Sequence, residues 1–158
     1  ERTLDAHQRI CGQKPRGYRA PVYNITQEVV DLMIEHGMRY DSSMMADDIP
    51  YQLQTDAGTL YEMPVHWGTD DWPPFAHYDE IGYMMPVRGP SQGLAGFWEE
   101  FEAQYEAGGL FMLIVHPFPT GRSARAVSDR TRSNTSLRWG QSVALAQLAS
   151  ITINMGLF

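Results

Sequence analysis

A histidine stands at the end of a short apolar run, where many α/β proteins place a catalytic side chain. Residues 111–115 (FMLIV) are followed at once by His116 and Pro117, within the segment HPFPTGR. The run is bounded by Gly108-Gly109 and by Pro117, which is typical of a short strand buried on both faces. Side chains at the carboxyl end of such a strand lie where α/β folds carry their chemistry. The imidazole suits proton transfer there, and the alternative is a histidine that only hydrogen-bonds a nearby backbone carbonyl.

Three other groups of polar or aromatic side chains follow predicted strands. Groups at the ends of parallel strands converge on one rim of a sheet or barrel, so we expect these groups to lie near His116. Taken singly, each has a structural explanation: a surface arginine, packed tryptophans, or aspartates that form turns. Their convergence is what favours a functional site. The groups are Arg19-Ala20-Pro21, Asp41-Ser42-Ser43, and Trp67 with Asp70-Asp71-Trp72.

Strands and helices alternate along the chain, which favours an α/β fold with a largely parallel sheet. A short strand is predicted at residues 16–21 (RGYRAP), where the proline excludes a helix. A helix capped by Asn24 or Thr26 carries one apolar stripe and ends at Gly37. The other predicted elements are helices over residues 1–10 and 94–107 and strands at residues 38–44, 60–67 and 111–115, with a polar loop between the first two of these strands.

The composition is that of a globular protein with a hydrophobic core. Of the 158 residues, 43% are hydrophobic and 20% are charged, which argues against disorder. The net charge of −7 argues against nucleic acid and anionic membranes as partners. A single cysteine, Cys11, excludes an internal disulfide and a cysteine-based metal cage. No apolar run approaches a membrane span and no signal-peptide pattern is visible, so we expect a soluble protein, with the cytoplasm slightly favoured.

The charge changes sign near residue 122. Residues 1–121 carry 18 acidic and seven basic side chains, whereas residues 122–158 carry one acidic side chain and five arginines. We therefore divide the chain into a domain over residues 1–122 and an atypical arginine-rich tail over residues 123–158, which we expect to pack less tightly. Because the first residue is Glu1 rather than methionine, we also expect this chain to be part of a longer protein.

A set of four stretches resembles the polysaccharide deacetylases with the NodB-homology fold, in particular the peptidoglycan deacetylase-like and allantoinase-like branch. The stretches occur in the family's order and together fall within residues 12–122. Each is weak alone, and the set is specific. The stretches are GQKPRGYRAP (12–21), EHGMRYDSSMMADDIPY (35–51), LYEMPVHWGTDDWPPF (60–75) and LIVHPFPTGR (113–122).

This resemblance implies a fold and a reaction. The fold is a deformed (β/α) barrel, of which this chain would form the C-terminal part, and the reaction is hydrolysis of a non-peptide amide bond. His116 is implied as the general acid that protonates the leaving nitrogen, and Asp71 as the residue that orients and tunes it. Arg19 resembles the arginine that pairs with the family's catalytic aspartate. These three residues, His116, Asp71 and Arg19, are the predicted catalytic set.

The resemblance also implies contacts with the substrate. Pro21 would fix a turn, the backbone N–H of Val22 would stabilise an oxyanion, and Trp72 would form a wall of the pocket. The predicted substrate-binding residues are Pro21, Val22, Tyr23, Trp67, Asp70, Trp72 and Pro117.

A divalent metal, most simply zinc, is the cofactor that the family uses. No metal ligand is predicted in this chain, because its histidines have no His-x-x-x-His spacing and no paired-aspartate strand end precedes them. We expect the ligands upstream of residue 1, and therefore expect this chain alone to be inactive.

The substrate stays open between an N-acetylated amino sugar in a polysaccharide and a small cyclic ureide. A further alternative is a non-catalytic relative that binds glycans through Trp67, Trp72, Tyr23 and Tyr51. The sequence does not determine the oligomeric state.

Overall fold

The computed structural model describes residues 2–125, which divide into two compact units, residues 2–64 and residues 65–125. The predicted tail, residues 123–158, falls almost entirely outside this part, so the expectation about its packing does too. Helices and strands alternate as the sequence predicts. The helices are α1 (Arg2–Cys11), α2 (Gln27–Glu35), α3 (Trp72–Phe75), α4 (Pro90–Ala107) and α5 (Pro117–Thr120), and the strands are β1 (Gly17–Tyr18), β2 (Tyr40–Asp41), β3 (Tyr51–Thr55) and β4 (Gly58–Glu62).

The first unit contains a four-stranded sheet in the order β1-β2-β4-β3. β1, β2 and β4 run parallel, with Asp41 opposite Glu62 in the register of β2 and β4. The predicted parallel sheet is confirmed for these strands. β3 pairs with β4 antiparallel, so the prediction of a polar loop there is wrong. A tight turn before Gly58, whose φ is +135°, folds β3 back onto β4. The residues of β3 are mostly polar, but they can still pair with β4 because the hairpin is local and fixes their register.

Helix α2 packs on this sheet through the apolar stripe that the sequence predicts. Val30 and Met33 of the helix and Leu60 of β4 are all at most 3% exposed and form one core cluster. Each such burial contributes about 1.5–3 kcal/mol. The helix begins after Thr26 and is followed by Gly37 at φ +74°, a left-handed conformation that glycine adopts without strain.

The second unit is held by a core of aromatic and aliphatic side chains. Phe75 of α3, Phe97 of α4 and Leu113 are each at most 8% exposed and pack together. Helix α4 begins at Pro90, four residues before the predicted start, because proline suits the first helical position and the Gln92 side chain accepts a hydrogen bond from the Gly89 N–H at 3.0 Å.

The apolar run at residues 111–115 is extended but is not a regular strand, so this prediction is wrong in part. It makes a single parallel bridge, Asp70 to Ile114. The Ile114 N–H donates to Thr69 O at 2.8 Å and the Asp71 N–H donates to Ile114 O at 3.0 Å. The two segments cannot form a longer ladder. The segment that pairs with Ile114 forms a helical turn at Trp67–Thr69 before the bridge and begins α3 directly after it. Among residues 2–125, no helix is long and apolar enough to cross a membrane.

Candidate active site

Asp71 and His116 form a hydrogen-bonded pair in the second unit. His116 Nδ1 lies 2.6 Å from Asp71 Oδ1, and the His116 N–H donates to Asp71 Oδ2 at 2.8 Å. The hydroxyl of Thr120 also donates to Asp71 Oδ2. Asp71 is fully buried, whereas the His116 side chain is 23% exposed. A buried carboxylate with three donors is anchored, so it orients the imidazole and leaves part of the ring open to solvent.

The local backbone explains why these groups meet. The bridge at Ile114 places Asp71 beside the end of the apolar run. His116 precedes α5, and the Thr120 N–H donates to His116 O at 3.1 Å. One helical turn therefore brings the Thr120 hydroxyl back to the carboxylate that holds His116. Pro117 occupies the first position of this helix, where its missing N–H costs nothing.

Asp70, whose predicted contact with the substrate stays a prediction, is buried beside the pair of Asp71 and His116. It is 1% exposed, and its Oδ1 accepts a hydrogen bond from the Trp72 N–H at 2.7 Å. The same oxygen is 3.7 Å from His116 Nδ1. These contacts favour a role in fixing the start of α3 and the charge around the histidine, because so buried a carboxylate has little surface left for a substrate.

The Trp72 ring forms a wall beside the imidazole. Its centroid lies 5.4 Å from that of His116, with the ring planes at 69°. This edge-to-face contact is the arrangement that aromatic pairs prefer. The predicted role of Trp72 as a wall of the substrate pocket stays a prediction. Trp67 lies in the preceding helical turn and is 50% exposed.

Asp70, Asp71 and His116 also form a cluster in which one potential metal ligand from each lies within 4.8 Å of the others. A tetrahedral zinc ion with ligands at about 2.0–2.1 Å separates them from each other by about 3.3 Å. The 2.6 Å distance between His116 Nδ1 and Asp71 Oδ1 is shorter and is that of a charge-assisted hydrogen bond. In this arrangement His116 and Asp71 bind each other and Asp70 binds the Trp72 N–H, so the three side chains are engaged in hydrogen bonds and are not spaced around a metal ion.

Arg19 lies in the first unit, where Ser42 orients it. Its Nε donates to Ser42 O at 2.8 Å and one terminal nitrogen donates to Ser42 Oγ at 2.6 Å. The Ser42 hydroxyl in turn donates to Met63 O at 2.7 Å. The guanidinium is thus held on two sides by a buried serine that is itself anchored to the chain after β4.

Asp41, the residue before Ser42, forms a buried carboxyl pair with Glu62. Both are fully buried. Burial, together with a hydrogen bond with Asp41, raises the pKa of Glu62 to about 8. Burial likewise raises the pKa of Asp41. Two carboxyls that hydrogen-bond to each other need a proton between them, so the pair carries one near neutral pH.

Serine and backbone groups of the described residues donate to three of the four oxygens of this pair, and the buried Glu62 Oε2 receives no such donor. Ser43 donates its N–H at 3.0 Å and its hydroxyl at 2.9 Å to the two oxygens of Asp41. The Met44 N–H donates to Glu62 Oε1 at 3.0 Å. The Ala20 N–H donates to Ser43 Oγ at 2.9 Å, which ties the network to the residue next to Arg19.

The turn Pro21–Tyr23 follows Arg19 and has an unusual backbone. Val22 has φ +50° and Tyr23 has φ +59°. A β-branched residue rarely adopts positive φ, and such strain is typical of functional sites. Val22 is also 84% exposed. These features are consistent with the predicted use of the Val22 backbone toward a substrate, which stays a prediction.

The structure brings together five of the predicted residues in the second unit and four in the first. The expectation that all of them share one rim stays a prediction. Sequence reasoning missed Thr120, although it lies in the quoted HPFPTGR segment, and missed the partnership of Asp41 with Glu62, for which the strand-end position of DSS was the available signal. The second-unit group is Asp70, Asp71, Trp72, His116 and Pro117, and the first-unit group is Arg19, Pro21, Val22 and Tyr23, with Trp67 in the helical turn that precedes Asp70.

Comparison with known proteins identifies relatives in one family. No family model matches the chain. A peptidoglycan deacetylase of Helicobacter pylori (strain ATCC 700392 / 26695) is 24% identical over 142 residues, which cover 72% of this chain and 47% of that protein. A crystal structure from Mycobacterium smegmatis named as a polysaccharide deacetylase aligns with a TM-score of 0.74 and 33% identity, over 81% of this chain and 45% of its own.

Two further structures show the same fold at lower identity. A chain from Pseudomonas aeruginosa PAO1 named as a polysaccharide deacetylase has a TM-score of 0.66 at 20% identity, and Puue allantoinase has 0.67 at 17%, each over 88% of this chain and 44% of its own. The resemblance to the polysaccharide deacetylase family and its partial deformed barrel fold are thus confirmed. The chain spans about half the length of the relatives it matches.

Proposed function

We propose that this chain is part of a metal-dependent hydrolase that removes acetyl groups from N-acetylated amino sugars of a polysaccharide. The hydrogen-bonded pair of Asp71 and His116 carries the proposal, because it presents an oriented imidazole beside an aromatic wall. The relatives named as deacetylases of peptidoglycan and polysaccharide support this substrate class.

In the proposed reaction His116 is the general acid. Asp71 occupies the Nδ1 edge of the ring, so the geometry of imidazole directs Nε2 away from the carboxylate. A proton on Nε2 can then pass to the nitrogen of the breaking amide bond, and the buried charge of Asp71 complements the protonated ring. General acids of this kind contribute about 10²- to 10⁴-fold to the rate.

A divalent metal, most simply zinc, would supply the polarised carbonyl and an activated water when bound. The proposal assigns its ligands to residues other than Asp70, Asp71 and His116, because the latter are committed to hydrogen bonds. Arg19, held by Ser42, would position a partner carboxylate, and the Val22 N–H would face the developing oxyanion. Pro21, Tyr23 and Trp67 would contact the substrate.

Deacetylation of a soluble N-acetylglucosamine oligomer by the longer protein tests this proposal. We expect zinc-dependent release of acetate, and a fall of about 10²- to 10⁴-fold in kcat for His116→Ala. The exposed His36 gives a matched control, His36→Ala, which should keep full activity. Full activity of His116→Ala at an unchanged pH profile would refute the assigned role.

Two outcomes would select the alternatives. Turnover of a cyclic ureide without turnover of the sugar would favour an allantoinase-like hydrolase, and sugar binding without turnover would favour a glycan-binding relative. This chain alone should show negligible activity, because a general acid acts only after a nucleophile has attacked and an unactivated water is a poor nucleophile.

A further inference from the structure

Trp72 is the centre of an aromatic cluster that extends beyond the catalytic pair. Its ring makes edge contacts with four other rings. The centroid distances are 5.3 Å to Phe118, 5.4 Å to His116, and 6.4 Å to both Tyr78 and Tyr83. The cluster lies wholly in the second unit.

Two rings of this cluster lie at the surface. Phe118 is 55% exposed and Tyr78 is 40% exposed. Exposed apolar rings that adjoin a candidate site offer a surface on which a ligand can stack. We call Tyr78 and Phe118 the aromatic platform.

The backbone under Phe118 is fixed. Pro117 and Pro119 flank it, and proline restricts φ. Pro119 is among the fully buried side chains. His116 before this segment and Thr120 at its end both bond to Asp71. The exposed ring is therefore presented by a rigid segment that the catalytic carboxylate anchors.

The other half of the platform is held by a small hairpin. The backbones of Tyr78 and Tyr83 exchange hydrogen bonds at 2.7 and 2.9 Å. A hydrogen bond from the Tyr78 hydroxyl to the Glu80 carboxylate raises the Tyr78 pKa, so an exposed acceptor lies next to the ring. An apolar face flanked by hydrogen-bonding groups suits a sugar, whose ring has an apolar C–H face and a rim of hydroxyls.

We propose that Tyr78 and Phe118 bind a sugar ring of the polysaccharide next to the one that is deacetylated. The inference rests on the proposed function and specifies its substrate as a polymer. Phe118 and His116 both contact Trp72, so their ring centres are at most about 11 Å apart. That limit keeps Phe118 within reach of a sugar chain whose reacting unit lies at His116.

Binding of N-acetylglucosamine tetramer to this chain, followed by NMR, tests the platform. We expect Phe118→Ala and Tyr78→Ala to weaken binding at least threefold, and Phe118→Tyr and Tyr78→Phe to keep it. Tyr105 gives a matched control: it is 78% exposed and stacks on Phe101 of α4. Tyr105→Ala should bind as the unaltered chain does.

Unchanged binding by Phe118→Ala, an equal loss with Tyr105→Ala, or no measurable binding by the unaltered chain would overturn the platform. Thermal unfolding of each variant separates a lost contact from a lost fold. In the longer protein, Phe118→Ala should lower kcat/KM for the tetramer and leave it unchanged for the monosaccharide. If Phe118→Ala and the unaltered protein have equal kcat/KM on the tetramer, the platform is refuted but deacetylation is not. If binding depends on the platform but no acetate is released, deacetylation is refuted but the platform is not.

Discussion

His116 and Asp71 are 45 residues apart in the chain, yet the imidazole Nδ1 lies 2.6 Å from the Asp71 carboxylate. This contact decides which nitrogen carries the proton in the neutral ring. An ionised carboxylate can accept hydrogen bonds but cannot donate them. In the neutral imidazole, Nδ1 must therefore carry the proton and Nε2 must be unprotonated.

We therefore expect neutral His116 to be the Nδ1–H tautomer, which is the minor form of free histidine. The ¹⁵N and ¹³C shifts of the ring at alkaline pH measure this directly. In Asp71→Asn the bias should weaken, because an amide can donate as well as accept. A predominant Nε2–H tautomer in the unaltered chain would contradict the hydrogen bond and its role.

The Thr120 hydroxyl should stabilise the site measurably. Thr120→Val keeps the shape and removes a donor to a buried carboxylate, which should lower the free energy of unfolding by about 1–3 kcal/mol. Thr120→Ser retains the hydroxyl and is the matched control. Urea unfolding of the three proteins compares them, and equal stability of valine and serine variants would show that the contact is unimportant.

The Asp41–Glu62 pair should make stability depend on pH. The pKa of Glu62 rises from 4.5 to about 8 on folding, so between these values the folded state binds the extra proton. The stabilisation of the folded state by this proton is therefore complete below pH 4.5 and is lost as pH rises through 8. We expect the free energy of unfolding to fall across this window, by an amount on the order of a few kcal/mol.

Glu62→Gln tests this dependence, because the amide cannot ionise. Its stability should change much less between pH 5 and pH 9 in urea unfolding, while exposed Glu35→Gln should follow the unaltered chain. A Glu62→Gln profile that parallels the unaltered chain would assign the pH dependence to other groups.

Two glycines of α4 should respond oppositely to alanine. A Cβ at buried Gly93 would lie 2.3 Å from the Phe75 ring, whereas one at Gly96 meets nothing within 4 Å. Gly96→Ala should stabilise by about 0.5–1 kcal/mol through helix propensity. Gly93→Ala should destabilise by about 1–2 kcal/mol, because overpacking exceeds that gain. Thermal unfolding measures both, and stabilisation by both would show that Phe75 moves aside easily.

The sequence by itself determined the local elements and the chemically active side chains. Helix α2 follows from an apolar stripe between Thr26 and Gly37, since both the period and the ends are local properties. His116 and the Asp71-Trp72 pair were recognisable because each stands beside a strand-like or turn-forming pattern that a resemblance could match. The family resemblance, rather than any contact, implied acid catalysis by His116.

Only the tertiary structure decided which of these side chains meet. The strand-end position of Asp41 marks it as a candidate site residue, but it does not identify Glu62 as the partner, because the partnership depends on the register of β2 against β4. Thr120 reaches Asp71 through one turn of α5. This helix is too short and too rich in proline for an apolar periodicity to predict it. The apolar run at 111–115 looked like a strand because its residues are buried, but a regular strand needs a partner of equal length, and the turn at Trp67–Thr69 and helix α3 leave room for one bridge. A hydrogen bond between distant segments depends on where the fold places both residues. A short sequence pattern contains only one of the two residues, so it cannot predict the bond.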